Sequence, residues 1–185
     1  MSADKVKQAL NLFGPCMAQI YGQVECPITI GILSPDDHLE ALSAPDKEKR
    51  LTSCGRPPVF VNVEMMGEDG NLVSQGKCGE IVVRGTLVSL GYYGDPEASE
   101  ASCARGWHYT GDIGYKDEDG FIYIVDRKKD MIISGGLNIF PIEIERLIWS
   151  HPTVQDCAVI GAPDEKWGES VKAVIELKSG QSVTE

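Results

Sequence analysis

The hydrophobic pattern begins with a helical repeat. Apolar residues recur at helical spacing over residues 4–13, and Gly14-Pro15 ends the pattern, which predicts a short amphipathic helix. A strand or turn is expected over residues 18–25. The next stretch, residues 34–53, is polar and charged and contains two prolines, so we expect a solvated surface loop there.

The middle of the chain consists of short apolar segments separated by turn residues. Asp117-Glu118-Asp119-Gly120 is typical of a hairpin loop, and it precedes an apolar run over residues 121–125. These features predict a mostly antiparallel sheet or a distorted barrel. Its other strands are expected at residues 59–65, 79–84, 88–93 and 111–116.

The pattern becomes helical again after Gly136. Pro141 is expected to open a helix that ends before His151-Pro152, and residues 154–160 and 171–177 read as two strands of a new unit. We therefore predict an α+β fold. A distorted antiparallel β-barrel or sheet subdomain occupies residues 1–126, and residues 127–185 begin a small α+β C-terminal domain, with the boundary at Asp126.

Composition narrows the class of protein. The formal net charge of −11 argues against a nucleic-acid partner, since such binders usually carry a basic patch. The six cysteines form no C-x-x-C pair, which favours reduced thiols over a zinc ribbon or a disulfide framework. The sequence shows neither a signal peptide nor an apolar run of membrane-spanning length, so we expect a cytoplasmic protein.

Two charged residues beside the hairpin are candidates for binding a nucleotide. Asp112 follows a glycine at a predicted turn, and a fixed carboxylate there suits the vicinal hydroxyls of a ribose. Arg127 lies at the end of the following strand, where its planar donors suit a phosphate or ribose oxygen. The alternatives are a turn aspartate bonded to its own backbone and a surface ion pair.

The run Tyr21-Gly22-Gln23-Val24-Glu25 offers complementary groups. Its tyrosine has an aromatic face for a base, its glycine permits close approach, and its glutamate suits Mg²⁺ beside a phosphate. Partial burial of the tyrosine and a surface charge on the glutamate are the alternatives. The three histidines lack metal-ligand spacing, and no nucleophile elbow is visible, so hydrolysis has no support.

Taken in order, these segments resemble the motifs of the adenylate-forming superfamily, which includes acyl- and aryl-CoA synthetases, peptide-synthetase adenylation domains and beetle luciferases. Residues 21–25 resemble its Tyr-Gly-x-Thr-Glu motif, and residues 109–112 resemble its (Tyr/Trp)-x-Thr-Gly-Asp motif. Residues 79–85 with Gly91-Tyr92 resemble its Gly-Glu-(Ile/Leu) and Gly-Tyr element. Residues 126–145 resemble its hinge and the following loop, most closely in fatty-acyl- and related CoA ligases.

The resemblance implies an ATP-dependent acyl-CoA ligase that uses Mg²⁺ and coenzyme A to activate a fatty or aryl carboxylic acid. It implies that Tyr21 stacks on adenine beside Gly22, that Asp112 binds both ribose hydroxyls with help from Arg127, and that Glu25 holds Mg²⁺.

The resemblance also implies a moving C-terminal domain. Asp126 would be the hinge about which this domain turns between the two half-reactions. Gly135 and Gly136 would line the path of the pantetheine chain, because a residue without a Cβ leaves room for it.

The sequence departs from the family pattern in three ways. Val24 stands where the family usually has threonine, and neither the Ser/Thr/Gly-rich phosphate loop nor the C-terminal catalytic lysine is found in the 185 residues. We therefore expect an internal fragment that is inactive alone. The alternative is a non-catalytic nucleotide-binding or interaction module, which Val24 and the missing lysine favour and which Glu25, Asp112 and Arg127 disfavour.

Overall fold

The computed structural model describes residues 3–27 and 29–182. The chain divides into two compact units, Met1–Ile124 and Val125–Glu185. Both mix helices with antiparallel strands, so the predicted α+β class is confirmed.

The first unit begins with the predicted amphipathic helix, α1 (Ala3–Phe13). Its buried residues Val6 and Leu10 pack against Ala41 and Leu51. Burial of these apolar side chains, rather than intrinsic propensity, is what stabilises so short a helix.

The two residues that α1 contacts lie in the stretch predicted as a solvated loop, and that prediction is wrong. The stretch forms α2 (Pro35–Ser43) and a 3-10 helix (Pro45–Thr52). Ser34 and Asp37 form a reciprocal capping box at the start of α2. These local signals, together with proline at the first helical position, outweigh the polar composition.

The main sheet of the first unit is five-stranded and antiparallel. The elements of this unit after the 3-10 helix and around it are β1 (Gln19–Tyr21), β2 (Gly31–Leu33), β3 (Val61–Met66), β4 (Gly79–Gly85), α3 (Pro96–Ser102), β5 (Cys103–Ala104), β6 (Trp107–Lys116) and β7 (Ile122–Arg127). The order of the main sheet is β3-β4-β6-β5, with β7 also paired to β6, and β1 pairs separately with β2. The predicted hairpin between β6 and β7 is confirmed.

Residues 88–93 were expected to form a strand, and this prediction is wrong. They form a loop in which Leu90 and Tyr93 are fully exposed and Gly91 has φ 136°. Tyr92 makes only an isolated bridge to Asp95, which caps α3. Gly91, with its positive φ, and the turn at residues 93–94 interrupt the extended backbone of this run, so it does not extend the sheet.

One hydrophobic cluster of the first unit lies on one face of the sheet. Cys26 and Ile30, which lie between β1 and β2, pack there against residues of three strands. This packing ties the β1–β2 hairpin to the sheet. The strand residues of the cluster are Val61, Val63, Met65, Ile81, Val83 and Ile122.

Over residues 125–182, the second unit contains a four-stranded antiparallel sheet, one α-helix and one short 3-10 helix. Its elements are the 3-10 helix Lys128–Asp130, β8 (Ile132–Ser134), β9 (Leu137–Ile139), α4 (Pro141–Trp149), β10 (Val154–Asp164) and β11 (Gly168–Leu177). The predicted helix is confirmed as α4, and the two predicted strands are confirmed as a long hairpin, β10 and β11. The sheet order is β10-β11-β8-β9.

None of the helices within residues 3–27 and 29–182 combines the length and apolarity that a membrane crossing requires. The six cysteines, each in the described part of the chain, form no disulfide bond with one another.

Candidate functional site

Asp112 lies on a bulge in the centre of the main sheet. Glu80 of β4 pairs with Ile113 of β6, and the next pair is Val82 with Tyr109. Strand β4 thus advances by two residues where β6 advances by four. The extra residues of β6 therefore bulge out of the ladder, and such a bulge re-aims the side chains it carries. Asp112 is only 2% exposed.

The bulge depends on a glycine and is fastened by β4. Gly111 has φ 72°, a left-handed conformation that side-chain-bearing residues rarely adopt. Its N–H donates to Glu80 Oε1 at 3.1 Å, and Thr110 Oγ1 donates to the carbonyl of Ile81 at 2.8 Å. Thr110 Oγ1 also accepts the N–H of Asp112 at 3.1 Å. The Gly-Glu-Ile and Thr-Gly-Asp segments therefore form one structural unit.

The end of β1 holds the Asp112 carboxylate. Tyr21 donates its hydroxyl to Asp112 Oδ2 at 2.6 Å, and Gln23 donates its Nε2 to the same oxygen at 3.1 Å. Gln23 Nε2 also reaches the carbonyl of Thr110 at 2.8 Å. Burial and the bond to Asp112 both raise the pKa of Tyr21, so its phenol stays a neutral donor. Gln23 was not a predicted site residue, although its i, i+2 spacing from Tyr21 places both on one side of an extended segment.

A tight turn after Tyr21 presents Glu25. Gln23 and Cys26 exchange backbone hydrogen bonds of 3.2 Å each, and fully buried Cys26 anchors the turn in the core. Glu25 Oε1 accepts the hydroxyl of Tyr92 at 2.5 Å. This hydrogen bond lowers the pKa of the Glu25 carboxyl, which is therefore ionised at neutral pH. Val24, which lies between Gln23 and Glu25 in this turn, is 90% exposed.

The environment of Glu25 fits a magnesium ligand. An ionised carboxylate is a hard oxygen donor, and Mg²⁺ usually binds through one or two carboxylates plus substrate phosphates. Within the described ranges, no group of three or more His, Cys, Asp or Glu residues could hold a metal. The partly exposed, ionised carboxylate of Glu25 is chemically able to serve as one ligand of such an ion.

The histidines of the first unit lie in its interior. His38 is fully buried and contacts Gln19 Nε2 at 3.1 Å and the carbonyl of Met17 at 3.2 Å. His108 is 4% exposed, and its Nε2 has no hydrogen-bond partner in the part of the chain that the structure describes. Burial lowers the pKa of both imidazoles, so both are neutral at neutral pH.

The remaining candidates belong to the second unit. Asp126 accepts two backbone hydrogen bonds, from Arg127 N at 2.8 Å and from Ile142 N at 3.1 Å. The second bond caps α4, because the N-cap residue Phe140 makes no side-chain cap of its own. Arg127 itself is exposed.

Gly135 and Gly136 form the turn between β8 and β9, with φ values of 58° and 82°. The Gly135 N–H donates to the carbonyl of Trp167 at 2.8 Å, and a Cβ at Gly135 would lie 2.8 Å from the Trp167 ring. Gly135 thus has a packing reason to lack a side chain, and sequence reasoning missed Trp167, which is 32 positions away.

Comparisons with known proteins identify the family. The sequence profile of the AMP-binding enzymes matches residues 1–93, and that of the AMP-binding enzyme C-terminal domain matches residues 143–185. The chain belongs to the AMP-binding enzyme family, within the adenylate-forming superfamily.

Three similar proteins show which members of the family the chain resembles. The chain is 48% identical over 175 residues to the medium/long-chain-fatty-acid–CoA ligase FadD8 of Mycobacterium tuberculosis, covering 95% of this chain and 29% of that protein. The structure superimposes with a TM-score of 0.79 and 35% identity on O-succinylbenzoate coenzyme A synthetase from Bacillus subtilis in complex with ATP and magnesium ion, covering 98% of this chain and 36% of that one. The amide bond synthetase McbA from Marinactinospora thermotolerans gives 0.81 and 34%, with 98% and 36% covered. The chain thus spans about a third of the length of these proteins.

Proposed function

We propose that this chain carries the AMP-binding wall and the hinge segment of an ATP-dependent acyl-CoA ligase. In such a ligase a carboxylate attacks the α-phosphorus of ATP, pyrophosphate leaves, and the thiol of coenzyme A then displaces AMP to give a thioester. The observation that carries the proposal is the buried Asp112 carboxylate, held by Tyr21 and Gln23 at the end of a neighbouring hairpin.

Asp112 is the proposed ribose ligand. Tyr21 and Gln23 hold the carboxylate in one orientation, and a carboxylate fixed in this way suits the vicinal hydroxyls of a ribose. The Tyr21 ring, whose hydroxyl is fixed by Asp112, offers a stacking face for adenine, and exposed Gly22 permits close approach. Arg127, carried by the second unit, is proposed to assist at the ribose.

Glu25 is the proposed Mg²⁺ ligand. When bound, the ion neutralises phosphate oxygens as pyrophosphate leaves. The contribution of the chain is an ionised carboxylate on a turn anchored in the core.

The second unit is proposed to serve the thioester step. Asp126 is the proposed hinge, since its carboxylate is bonded to α4 of its own unit. Gly135 and Gly136 are proposed to line the pantetheine path, where their turn offers two residues without a Cβ. We place the reaction in the cytoplasm, where ATP and coenzyme A are supplied and thiols stay reduced.

The acid is proposed to be a fatty or aryl carboxylate, in keeping with the names of the CoA ligase relatives. The likeness to an amide bond synthetase makes an amine a competing acceptor. Incubating the full-length gene product with ATP, an acid and either coenzyme A or an amine distinguishes the two, because only one acceptor accelerates AMP release.

The ribose contact is tested by pairing ligand and protein changes. AMP and its 2′,3′-dideoxy analogue are titrated into the chain and into Asp112→Ala, with chemical shifts of the Gly22 and Gly111 amides as the readout. A hydrogen bond to a charged group contributes about 1.5–3 kcal/mol, so the wild-type chain is expected to prefer AMP by at least about tenfold. Asp112→Ala is expected to bind both ligands equally. Equal preference in the two proteins would overturn the ribose role.

The rival is a non-catalytic nucleotide-binding or interaction module, which exposed Val24 at the usual threonine position favours. Pyrophosphate release separates the two functions. The full-length gene product is expected to release pyrophosphate when given ATP and an acid, and the 185-residue chain alone is expected to release none. A full-length product that binds AMP without releasing pyrophosphate would establish the rival.

A further inference from the structure

The loop over residues 88–95 is hydrogen-bonded to both the main chain and the side chain of Glu25. The backbone N–H of Ser89 donates to the carbonyl of Glu25 at 2.7 Å, and the hydroxyl of Tyr92 donates to Glu25 Oε1 at 2.5 Å. One loop therefore restrains the main chain and the carboxylate of the same residue.

Helix α3 fixes the backbone that carries Tyr92. The Tyr92 N–H donates to Ser99 Oγ at 2.8 Å, and that hydroxyl donates to the carbonyl of Asp95 at 2.6 Å. Gly91, at φ 136°, lets Ser99 approach, because a Cβ at Gly91 would lie 2.7 Å from Ser99 Oγ. The phenol is thus delivered to Glu25 from an anchored main chain.

The neighbouring residue shows that this arrangement is specific to one side chain. Tyr93 is fully exposed, whereas Tyr92 is 42% exposed and turns towards Glu25. Of these two adjacent tyrosines, Tyr92 is therefore the one whose hydroxyl holds the Glu25 carboxylate.

We propose that Tyr92 is a positioning residue for Glu25, which holds the carboxylate in the orientation that receives Mg²⁺ with the bound nucleotide. This inference rests on the proposed role of Glu25 as the magnesium ligand. Groups that hydrogen-bond a ligating side chain orient it, and their removal typically costs about 10–100-fold in metal affinity or activity. Oε1 accepts one bond from Tyr92, and a carboxylate with about four acceptor sites still has capacity for the ion.

The test measures metal binding rather than turnover. Mn²⁺ is used as the probe in place of Mg²⁺, and its affinity for the chain in the presence of ATP is followed by water-proton relaxation. Tyr92→Phe is expected to weaken Mn²⁺ binding about tenfold. Tyr93→Phe, the matched control, is expected to bind Mn²⁺ like the wild-type chain. The affinity for ATP without metal and the thermal midpoint are expected to stay the same in both variants.

A second pair of variants separates this inference from the function on which it rests. Ser99→Ala, which releases the Tyr92 backbone, is expected to weaken Mn²⁺ binding to a smaller degree than Tyr92→Phe. Glu25→Gln is expected to weaken it most. If Glu25→Gln weakens Mn²⁺ binding and Tyr92→Phe does not, the positioning role is wrong and the magnesium role stands. If Glu25→Gln leaves Mn²⁺ binding unchanged, the magnesium role itself fails.

Discussion

Two aspartates, one in each unit, are held in different ways. Asp112 is 2% exposed and accepts side-chain hydrogen bonds from Tyr21 and Gln23, which lie 91 and 89 positions earlier. Asp126 is partly exposed and accepts backbone hydrogen bonds from Arg127 and Ile142 of its own unit. The first arrangement fixes a carboxylate through tertiary structure, as a ligand clamp requires. The second ties a carboxylate to one unit only, which suits a residue at the edge of that unit.

The largest expected effect comes from removing each carboxylate. Asp112→Ala leaves the half-buried Tyr21 hydroxyl without its acceptor, at about 1–3 kcal/mol for the unsatisfied group, and removes one of the two acceptors of the Gln23 amide. Asp126→Ala removes the cap of α4, which costs about 1 kcal/mol. Amide hydrogen exchange, measured residue by residue, is expected to show loss of protection in Met1–Ile124 for the first variant and in Val125–Glu185 for the second.

The affinity for AMP is a second measurement that distinguishes the two aspartate variants. Asp112→Ala is expected to bind AMP at least about tenfold more weakly than the wild-type chain, and Asp126→Ala is expected to keep most of the AMP affinity. Loss of protection spread evenly over both units in either variant would contradict the comparison, because it would mean that the two carboxylates stabilise one common structure.

Alanine substitutions at two glycines, one in each unit, are expected to have smaller effects on stability. Gly111 and Gly136 have φ values of 72° and 82°, and at both positions a Cβ would meet no atom within 4 Å. Replacing either by alanine therefore tests the backbone conformation alone, at about 1–2 kcal/mol. We expect similar stability losses from Gly111→Ala and Gly136→Ala, each confined to its own unit.

Ligand binding should separate the two glycine variants. Gly111→Ala is expected to weaken AMP binding, because any adjustment of the β6 bulge moves Asp112. Gly136→Ala is expected to bind AMP like the wild-type chain. Equal AMP affinity in both variants would show that the bulge tolerates a side chain without moving the carboxylate.

Local patterns predicted most of the fold. Helix α1, helix α4 and the β6–β7 and β10–β11 hairpins follow from periodicity and turn residues within each segment. Strands β8 and β9 have three residues each, too few for a periodic signal. The α2 region was missed although its capping box and proline are local signals, because its charge suggested a loop.

The candidate site was predicted less completely, for a physical reason. Tyr21, Glu25 and Asp112 each have a side chain suited to a nucleotide, so their chemistry is readable from sequence. Gln23 bonds Asp112, Tyr92 bonds Glu25, and Glu80 bonds Gly111 beside Asp112, in each case between segments that are distant in sequence. Such pairings depend on the register of β4 and β6 and on the loop before α3, which no single segment encodes.

The smallest expected effect concerns a third carboxylate, Asp37, which combines features of the other two. It caps a helix, as Asp126 does, and it is 5% exposed and bonded to the side chains of Ser34 and Arg56, in the manner of Asp112. Burial raises the pKa of Asp37, but the hydrogen bonds from Ser34 and the nearby Arg56 guanidinium outweigh it, so the pKa lies below its usual 3.8.

A depressed pKa in the folded state fixes the sign of the pH dependence. The unfolded chain takes up this proton at a higher pH than the folded chain, so Asp37 contributes stability above its usual pKa and loses it as the pH falls through the folded value. Urea unfolding midpoints of the first unit, measured between about pH 6 and about pH 3, are therefore expected to fall less steeply for Asp37→Asn than for the wild-type chain. Glu40→Gln is the control, because the exposed Glu40 has its pKa lowered by Lys47 and Arg50, and ion pairs of an exposed carboxylate contribute little to stability. If Glu40→Gln reduced the fall of the unfolding midpoint with pH as much as Asp37→Asn does, exposed ion pairs rather than the buried Asp37 carboxylate would set the acid sensitivity of this unit.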